Sequence, residues 1–359
     1  MSRYLWISGA AACLVIGAGF LLAEKETASA AVPTKSAVVA KAAAEPSVRI
    51  VWPTPYPYFK DGADPARWLQ ATESGRVGSG GYGMVRDGGA RFHEGVDIRP
   101  VAARDKRGEP TDIVVAAIAG RIMHANTVPN GAYGRYVVLE HRLGGMTLYT
   151  LYAHLASLDP ATRVGRTVAE GAALGVMGRS DAKGGFPKER AHLHFEVGLR
   201  LSSRFDRWYA GRRYPDPNLH GQYNGINLAG LNPVAFFNAV RVAGGEPTVK
   251  ALEQWVASNP VAVLADVPVA GTPDFVTRHP GLVVGNAAKA AGWRVGFTAD
   301  GVPVRWEPLA TAPKTLTIVA VDAASAIEAR RCGLVVPKKR GVYAPGSKLE
   351  TALELAAGL

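Results

Sequence analysis

Two short segments of the chain set nitrogen and oxygen donors at spacings that suit a metal ion. The first is Phe92-His93-Glu94-Gly95-Val96-Asp97-Ile98, with three residues between His93 and Asp97. A helix would put both on one face, but Gly95, Val96, Ile98 and Pro100 disfavour a helix. A turn entering a strand can converge the imidazole and the carboxylate instead. Alone, the pattern fits a surface turn with an incidental Asp as well. The second segment is Ala191-His192-Leu193-His194-Phe195-Glu196-Val197. In a strand, positions i and i+2 share a face. His192 and His194 then project together, and Leu193, Phe195 and Val197 make the opposite, apolar face. Adjacent imidazoles repel when protonated, which a metal or a catalytic role explains better than a plain polar sheet face. A third segment, Leu151-Tyr152-Ala153-His154-Leu155, is weak by itself, because a histidine among apolar residues is usually a core histidine. Together, His93, Asp97 and one of the His192/His194 pair supply three ligands. Catalytic zinc sites have that number and keep a fourth position for water. Mg²⁺ or Ca²⁺ would prefer more oxygen ligands.

The surrounding sequence predicts what positions these groups. Short apolar runs alternate with turns at 113–115, 120–123, 136–139, 147–149, 174–177 and 192–197, the signature of an antiparallel sheet. A first short strand is expected at 48–52, cut off by Pro53, Pro55 and Pro57. Residues 74–83 are glycine-rich and suit tight turns or close backbone approach. Asn232-Pro233 predicts a helix start, with Asn as N-cap and Pro at the first position. Beyond about residue 240 the sequence predicts a helix over 248–257, a hairpin of 293–297 with 302–306, and a strand over 316–321, but carries no chemical motif. The expected fold is mainly β, an antiparallel catalytic sheet followed by a small C-terminal α+β module.

At 359 residues and 48% hydrophobic, the chain can build more than one core. The net charge of +11 favours anionic partners, but no basic run with interleaved aromatics suggests nucleic acid. The two cysteines, Cys13 and Cys332, supply neither a zinc ribbon nor a Cys–His enzyme. Arg3, an apolar run over 4–23 and Ala28-Ser29-Ala30 form a basic, apolar, small-residue series. This reads as a signal peptide, or as an inner-membrane anchor, since the run approaches the roughly 20 residues that span a bilayer. Either reading sends the rest of the chain out of the cytoplasm, to the periplasm or cell envelope. The Ala- and Lys-rich stretch over 24–46 reads as a tether.

With these residues in view, the chain resembles the lysostaphin/LytM-type zinc peptidases, which act on peptidoglycan. The resemblance rests on the Gly-rich opening over 75–86, His93-Glu94-Gly95-Val96-Asp97 and Tyr152-Ala153-His154-Leu155. It continues through the spaced glycines Gly165, Gly171, Gly175 and Gly178, His192-Leu193-His194-Phe195-Glu196, and Asn232-Pro233. The motifs occur in family order and cover about 72–239. The resemblance implies that His93, Asp97 and His194 bind one Zn²⁺ and that His154 and His192 form the catalytic pair. It implies hydrolysis of peptide cross-links or stem peptides of the bacterial wall by metal-activated water, a D-Ala–diamino acid link being the bond suggested. It divides the chain into a leader or anchor (1–30), a tether and lead-in (31–71), a peptidase domain (72–239) and a C-terminal module of unassigned role (240–359).

Three departures from the family pattern stand out: an insertion over 102–111, Lys188-Glu189-Arg190-Ala191 ahead of His192, and a long segment over 199–231. The last is rich in arginine and aromatics and is expected to wall the substrate groove, with Arg204, Arg207 and Arg212 meeting stem carboxylates. The competing readings are a catalytically inactive relative that binds peptidoglycan or activates another hydrolase, and a structural zinc module.

Overall fold

The computed structural model describes residues 45–358 apart from 62–63 and 73–74. The leader or anchor expected over 1–30, and the tether as far as residue 44, lie outside the described residues. Among the described residues no helix is long and apolar enough to cross a membrane.

The lead-in does not form the expected strand: isolated bridges at Ser47 and Ile50 and scattered backbone hydrogen bonds from Val48, Ile50 and Val51 to different partners tie it to the rest. Pro53, Pro55 and Pro57 have no N–H to extend a ladder, and the aromatics add anchoring. Trp52 stacks on Tyr58 with ring centroids 4.0 Å apart and meets Trp68 and Phe237. Tyr58 and Trp68 belong to two short helices, α1 (Tyr58–Asp61) and α2 (Pro65–Trp68).

The hairpin of β1 (Gly83–Arg86) and β2 (Arg91–His93) follows, then β3 (Val96–Ile98) and β4 (Ile113–Val115). Next come the long strands β5 (Gly120–Asn130), β6 (Gly134–Leu143) and β7 (Met146–Ala153). Three short strands, β8 (Ser157–Leu158), β9 (Thr167–Val168) and β10 (Ala173–Val176), lead to β11 (Leu193–Arg200). The segment over 199–231 holds α3 (Phe205–Gly211) and ends in β12 (Leu228–Leu231). The main sheet is antiparallel, in the order β12-β11-β7-β6-β5-β9, and β3 pairs with β11. The fold is mainly β, as the sequence predicts.

Alternation along β11 decides which face is which. Leu193, Phe195, Val197 and Leu199 enter the main core beside Trp52 and Phe237. His194 and Glu196 face the other way, toward a smaller cluster of Tyr136, Tyr149, Leu151 and Ala153 that Tyr223 and Leu228 cover. The segment over 199–231 thus roofs part of the sheet's polar face.

The chain continues through α4 (Pro233–Val242), whose N-cap Asn232 accepts from Val234 and Ala235 N–H as predicted, and α5 (Val249–Ala257), capped by Thr248. The remaining elements are β13 (Val263–Val267), α6 (Asp274–Arg278), β14 (Gly292–Phe297), β15 (Pro303–Leu309), β16 (Thr317–Val321), α7 (Ala326–Arg331) and α8 (Ser347–Ala357). Their strands form a second antiparallel sheet in the order β15-β14-β13-β16. Trp293, Trp306, Phe275 and Leu349 of this part share one continuous apolar core with the main sheet.

Candidate metal centre

Register brings the donors together. His194 of β11 lies directly opposite Asp97 of β3 and, on its other side, opposite Ala153, the last residue of β7. His154 follows at once, in a left-handed backbone conformation (φ 62°) that non-glycine residues rarely adopt and that concentrates at functional sites. His192 sits just before β11, bridged to Gly178. His93 closes β2, and Gly95 lets the chain turn beneath β11: a Cβ there would lie 2.3 Å from the carbonyl oxygen of Phe195. All five sequence-predicted residues therefore meet, four of them (His93, His154, His192 and His194) lining one cleft of about 700 Å³.

His93 Nε2, His194 Nδ1 and Asp97 Oδ1 face one another at 3.0, 3.2 and 3.3 Å. Tetrahedral zinc with bonds near 2.0–2.1 Å separates its ligand atoms by about 3.3 Å. The donor set, two imidazoles and a carboxylate, is also a zinc set, so the residues fit the ion that the sequence suggested.

The hydrogen-bond network assigns each ring its tautomer. His93 donates from Nδ1 to the Gly81 carbonyl (2.6 Å), leaving Nε2 bare. His194 donates from Nε2 to Glu196 Oε1 (2.9 Å), and its Nδ1 faces Asp97 Oδ1 at 3.2 Å. His192 donates from Nδ1 to the Arg190 carbonyl and His154 from Nδ1 to the Ser180 carbonyl. For His154 and His192 the ring nitrogen left over is a lone pair, which a base requires, whereas His194 Nδ1 faces Asp97 and would exchange a proton for an ion there. Glu196 itself is fully buried and accepts from Tyr133 and Tyr149 Oη, both at 2.8 Å. It is a functional residue for which the sequence reading gave no role. Its signal was there: position i+2 from His194 on the same strand face.

Charge follows from these contacts. Burial alone would raise the carboxyl of Asp97, but the imidazoles of His192 and His93 and hydrogen bonds from His194 and His93 hold it well below the usual carboxylate range. Burial opposes a charged His194, yet hydrogen bonds to Asp97 and Glu196 push its pKa up to about 10. The cluster therefore calls for positive charge at the point where the three ligand atoms meet. Burial pushes His154 well below its ordinary value, with His192 and His194 adding to the effect, and burial likewise lowers His192 against the pull of Asp97. Both are neutral bases at neutral pH. Phe186 stacks on His192 at 4.8 Å and meets His154 edge-on, which fixes both rings.

Arg86 is a second residue without a role in the sequence reading. A β-bulge between Met84 and Arg86 turns its side chain inward. The guanidinium donates to Asp97 Oδ2 and lies 2.9 Å from His93 Nε2. The hairpin carrying Arg86 and His93 is fastened by the C-terminal part of the chain. Arg331 donates to the Gly89 carbonyl, Asp300 accepts from Tyr82 Oη, and the Lys348 ammonium sits 4.6 Å from the centre of the Phe92 ring.

The arginines expected to wall the groove are placed elsewhere. Arg212 pairs with Glu354 and packs on Trp208, while Arg204 and Arg207 line a separate cavity against α8. The amphipathic repeat of α3 sends Phe205 into the core and turns the arginines away from the histidines. Only the later part of that segment, at His220 and Gly225, reaches the cleft.

The sheet sets two imidazoles and a carboxylate around one point, with two further imidazoles beside them. Residues 91–205 match the model of peptidase family M23. That stretch holds His93, Asp97, His154, His192 and His194. Solved structures similar to it include the catalytic domain of the antimicrobial peptidase lysostaphin from Staphylococcus simulans, at 23% identity over 38% of this chain and 83% of that one, TM-score 0.26. A putative glycyl-glycine endopeptidase from Ruminococcus gnavus matches at 23% identity over 44% and 50% of the two chains, TM-score 0.28. A zinc-containing peptidase from Vibrio cholerae matches at 22% over 42% and 33%, TM-score 0.22. The aligned stretch thus spans most of the lysostaphin domain and half or less of the other two. The comparison with curated protein sequences gives no match.

Proposed function

We propose that the protein is an exported zinc endopeptidase that hydrolyses peptide cross-links or stem peptides of bacterial peptidoglycan. The observation that carries this reading is the convergence of His93 Nε2, Asp97 Oδ1 and His194 Nδ1 at zinc-like separations beside two neutral imidazoles. His93, Asp97 and His194 would hold Zn²⁺, which when bound polarises a scissile carbonyl and lowers the pKa of a coordinated water toward about 7. His154 and His192 share the proton work. Their Nδ1–H groups are tied to the Ser180 and Arg190 carbonyls, so each presents Nε2. One accepts the proton of the attacking water at Nε2 and returns it to the leaving amine. The other, once protonated or polarised, donates a hydrogen bond to the oxyanion. Glu196 holds His194 by Nε2 so that Nδ1 is turned to the site, and Phe186 stacks on His192 and restrains its ring. Export rests on the basic, apolar, small-residue series over 3–30.

A zymogram on purified peptidoglycan, run with zinc and with a chelator, tests the reading. Zinc-dependent clearing is expected, and mass spectrometry of the released muropeptides names the bond. A correctly folded, zinc-loaded protein that clears no wall and releases no muropeptide would instead favour the non-catalytic wall-binding reading.

A further inference from the structure

The metal-site cleft does not end at the histidines. A second cavity of about 320 Å³ lies beside it, with Glu94 and Gly225 lining both. The far wall of this second chamber comes from the C-terminal part of the chain: the turn at 300–302 and the first turns of α8, with Ser347, Lys348 and Thr351. Its opposite side carries Tyr214 and Ile226 of the segment over 199–231.

The chemistry of this lining is specific. Tyr214 is 42% exposed although its ring packs on Tyr209, 4.7 Å between centroids, and faces Trp208 at 6.3 Å. A large aromatic side chain held in place yet open to the groove offers a flat, partly apolar face with a polar tip. Around it stand one cation, Lys348, one exposed acid, Glu94, and the hydroxyls of Ser347 and Thr351. Asp300 is already engaged by Tyr82 and Thr298. With two acids against one cation and two hydroxyls, the lining suits a neutral ligand with many donors and acceptors better than an anion. An aromatic face with such polar groups is what a sugar ring requires: apolar C–H on one side and hydroxyls at the edge.

We propose that this second chamber is a saccharide subsite, which takes the wall glycan while its attached peptide lies across the histidines. The inference rests on the peptidoglycan reading of the neighbouring site and gives the C-terminal module a role that neither its sequence nor the family match supplies.

The test uses the full chain and wall glycan strands stripped of their stem peptides as the probe, with binding followed by tyrosine and tryptophan fluorescence. The parent is expected to bind the strands. Tyr214→Ala, at an exposed position, and Thr351→Trp, which fills the chamber, are each expected to weaken binding at least tenfold. Zinc content, melting temperature and cleavage of a short stem peptide should stay at parental values. Should Thr351→Trp fold poorly, Tyr214→Ala and Ile226→Trp, both at exposed positions lining the chamber, carry the test. Parental binding in the variants, or no binding by the parent while it cleaves wall, overturns the subsite and leaves the peptidase reading intact. Strand binding that the variants lose, in a parent that releases no muropeptide, supports the subsite and sinks the peptidase reading alone.

Discussion

The candidate metal centre is assembled from two halves built on different principles. Asp97 and His194 stand opposite each other in adjacent strands, and His154 follows the strand on the other side, so backbone register fixes three of the five groups. His93 and Arg86 belong instead to a short hairpin outside the main sheet, whose position depends on side-chain contacts from residues more than two hundred positions later. The sheet half has its ladder and a buried carboxylate to orient it, whereas the hairpin half has fasteners. The difference teaches that ligands of equal chemical standing can differ in how firmly the fold holds them.

The largest expected effect removes the donors themselves. Asp97→Ala and His194→Ala should abolish tight zinc binding and hydrolysis, and His93→Ala should do the same despite its looser mounting. His154→Ala and His192→Ala should abolish hydrolysis while zinc stays bound, as measured by metal analysis after gel filtration. Equal zinc loss across all five would erase the division between ligands and catalytic bases.

A smaller loss is expected from Glu196→Gln, which keeps the shape and removes the charge behind His194. Outer-shell partners of this kind are worth about 10–100-fold in metal affinity. Competition with a chromogenic chelator measures it, and an unchanged affinity would mean that the strand alone orients His194.

On the hairpin half the sign reverses. The Arg86 guanidinium lies against His93 Nε2, an atom the ion needs, while it holds Asp97 by Oδ2 and leaves Oδ1 to the ion, so Arg86→Met should tighten zinc binding several-fold. Weaker binding would recast Arg86 as a support for Asp97.

The smallest effect on zinc binding is expected from a probe of the sheet half through acid. Burial lowers His141 to about 4, and the ring, neutral and fully enclosed, bonds the Ala119 carbonyl and Thr150 Oγ1. The unfolded chain binds a proton below about 6.5 that the folded chain refuses until about 4. Its contribution is therefore complete above pH 6.5 and lost as the pH falls toward 4, by up to about 3 kcal/mol. Thermal melts from pH 7.5 to 4.5 should show a steeper fall for the parent than for His141→Gln. Parallel slopes would assign the acid sensitivity to other groups.

The sequence made the sheet half legible because period-two alternation and donor spacing are local. Residues 193–199 announce both their apolar face and their polar one, and 113–115 and 147–149 lie within strands where expected. Asn232 and Thr248 announced their helices by capping. The hairpin's fastening could not be read, since nothing near Gly89 or Phe92 points to Arg331 or Lys348. Arg86 was hidden by a bulge, which shifts side-chain direction without changing composition. The arginines of 204–212 misled because their charge was legible and their helical phase was not.

The fasteners on the hairpin also bear on how far this domain is portable. A graft ending at residue 239, the boundary that the motifs suggest, would carry every donor atom of the centre into a chimera. It would leave behind Asp300, Arg331 and Lys348, and with them the grip on the strand that presents His93. Chemically the cartridge would be complete, but mechanically it would lack its latch.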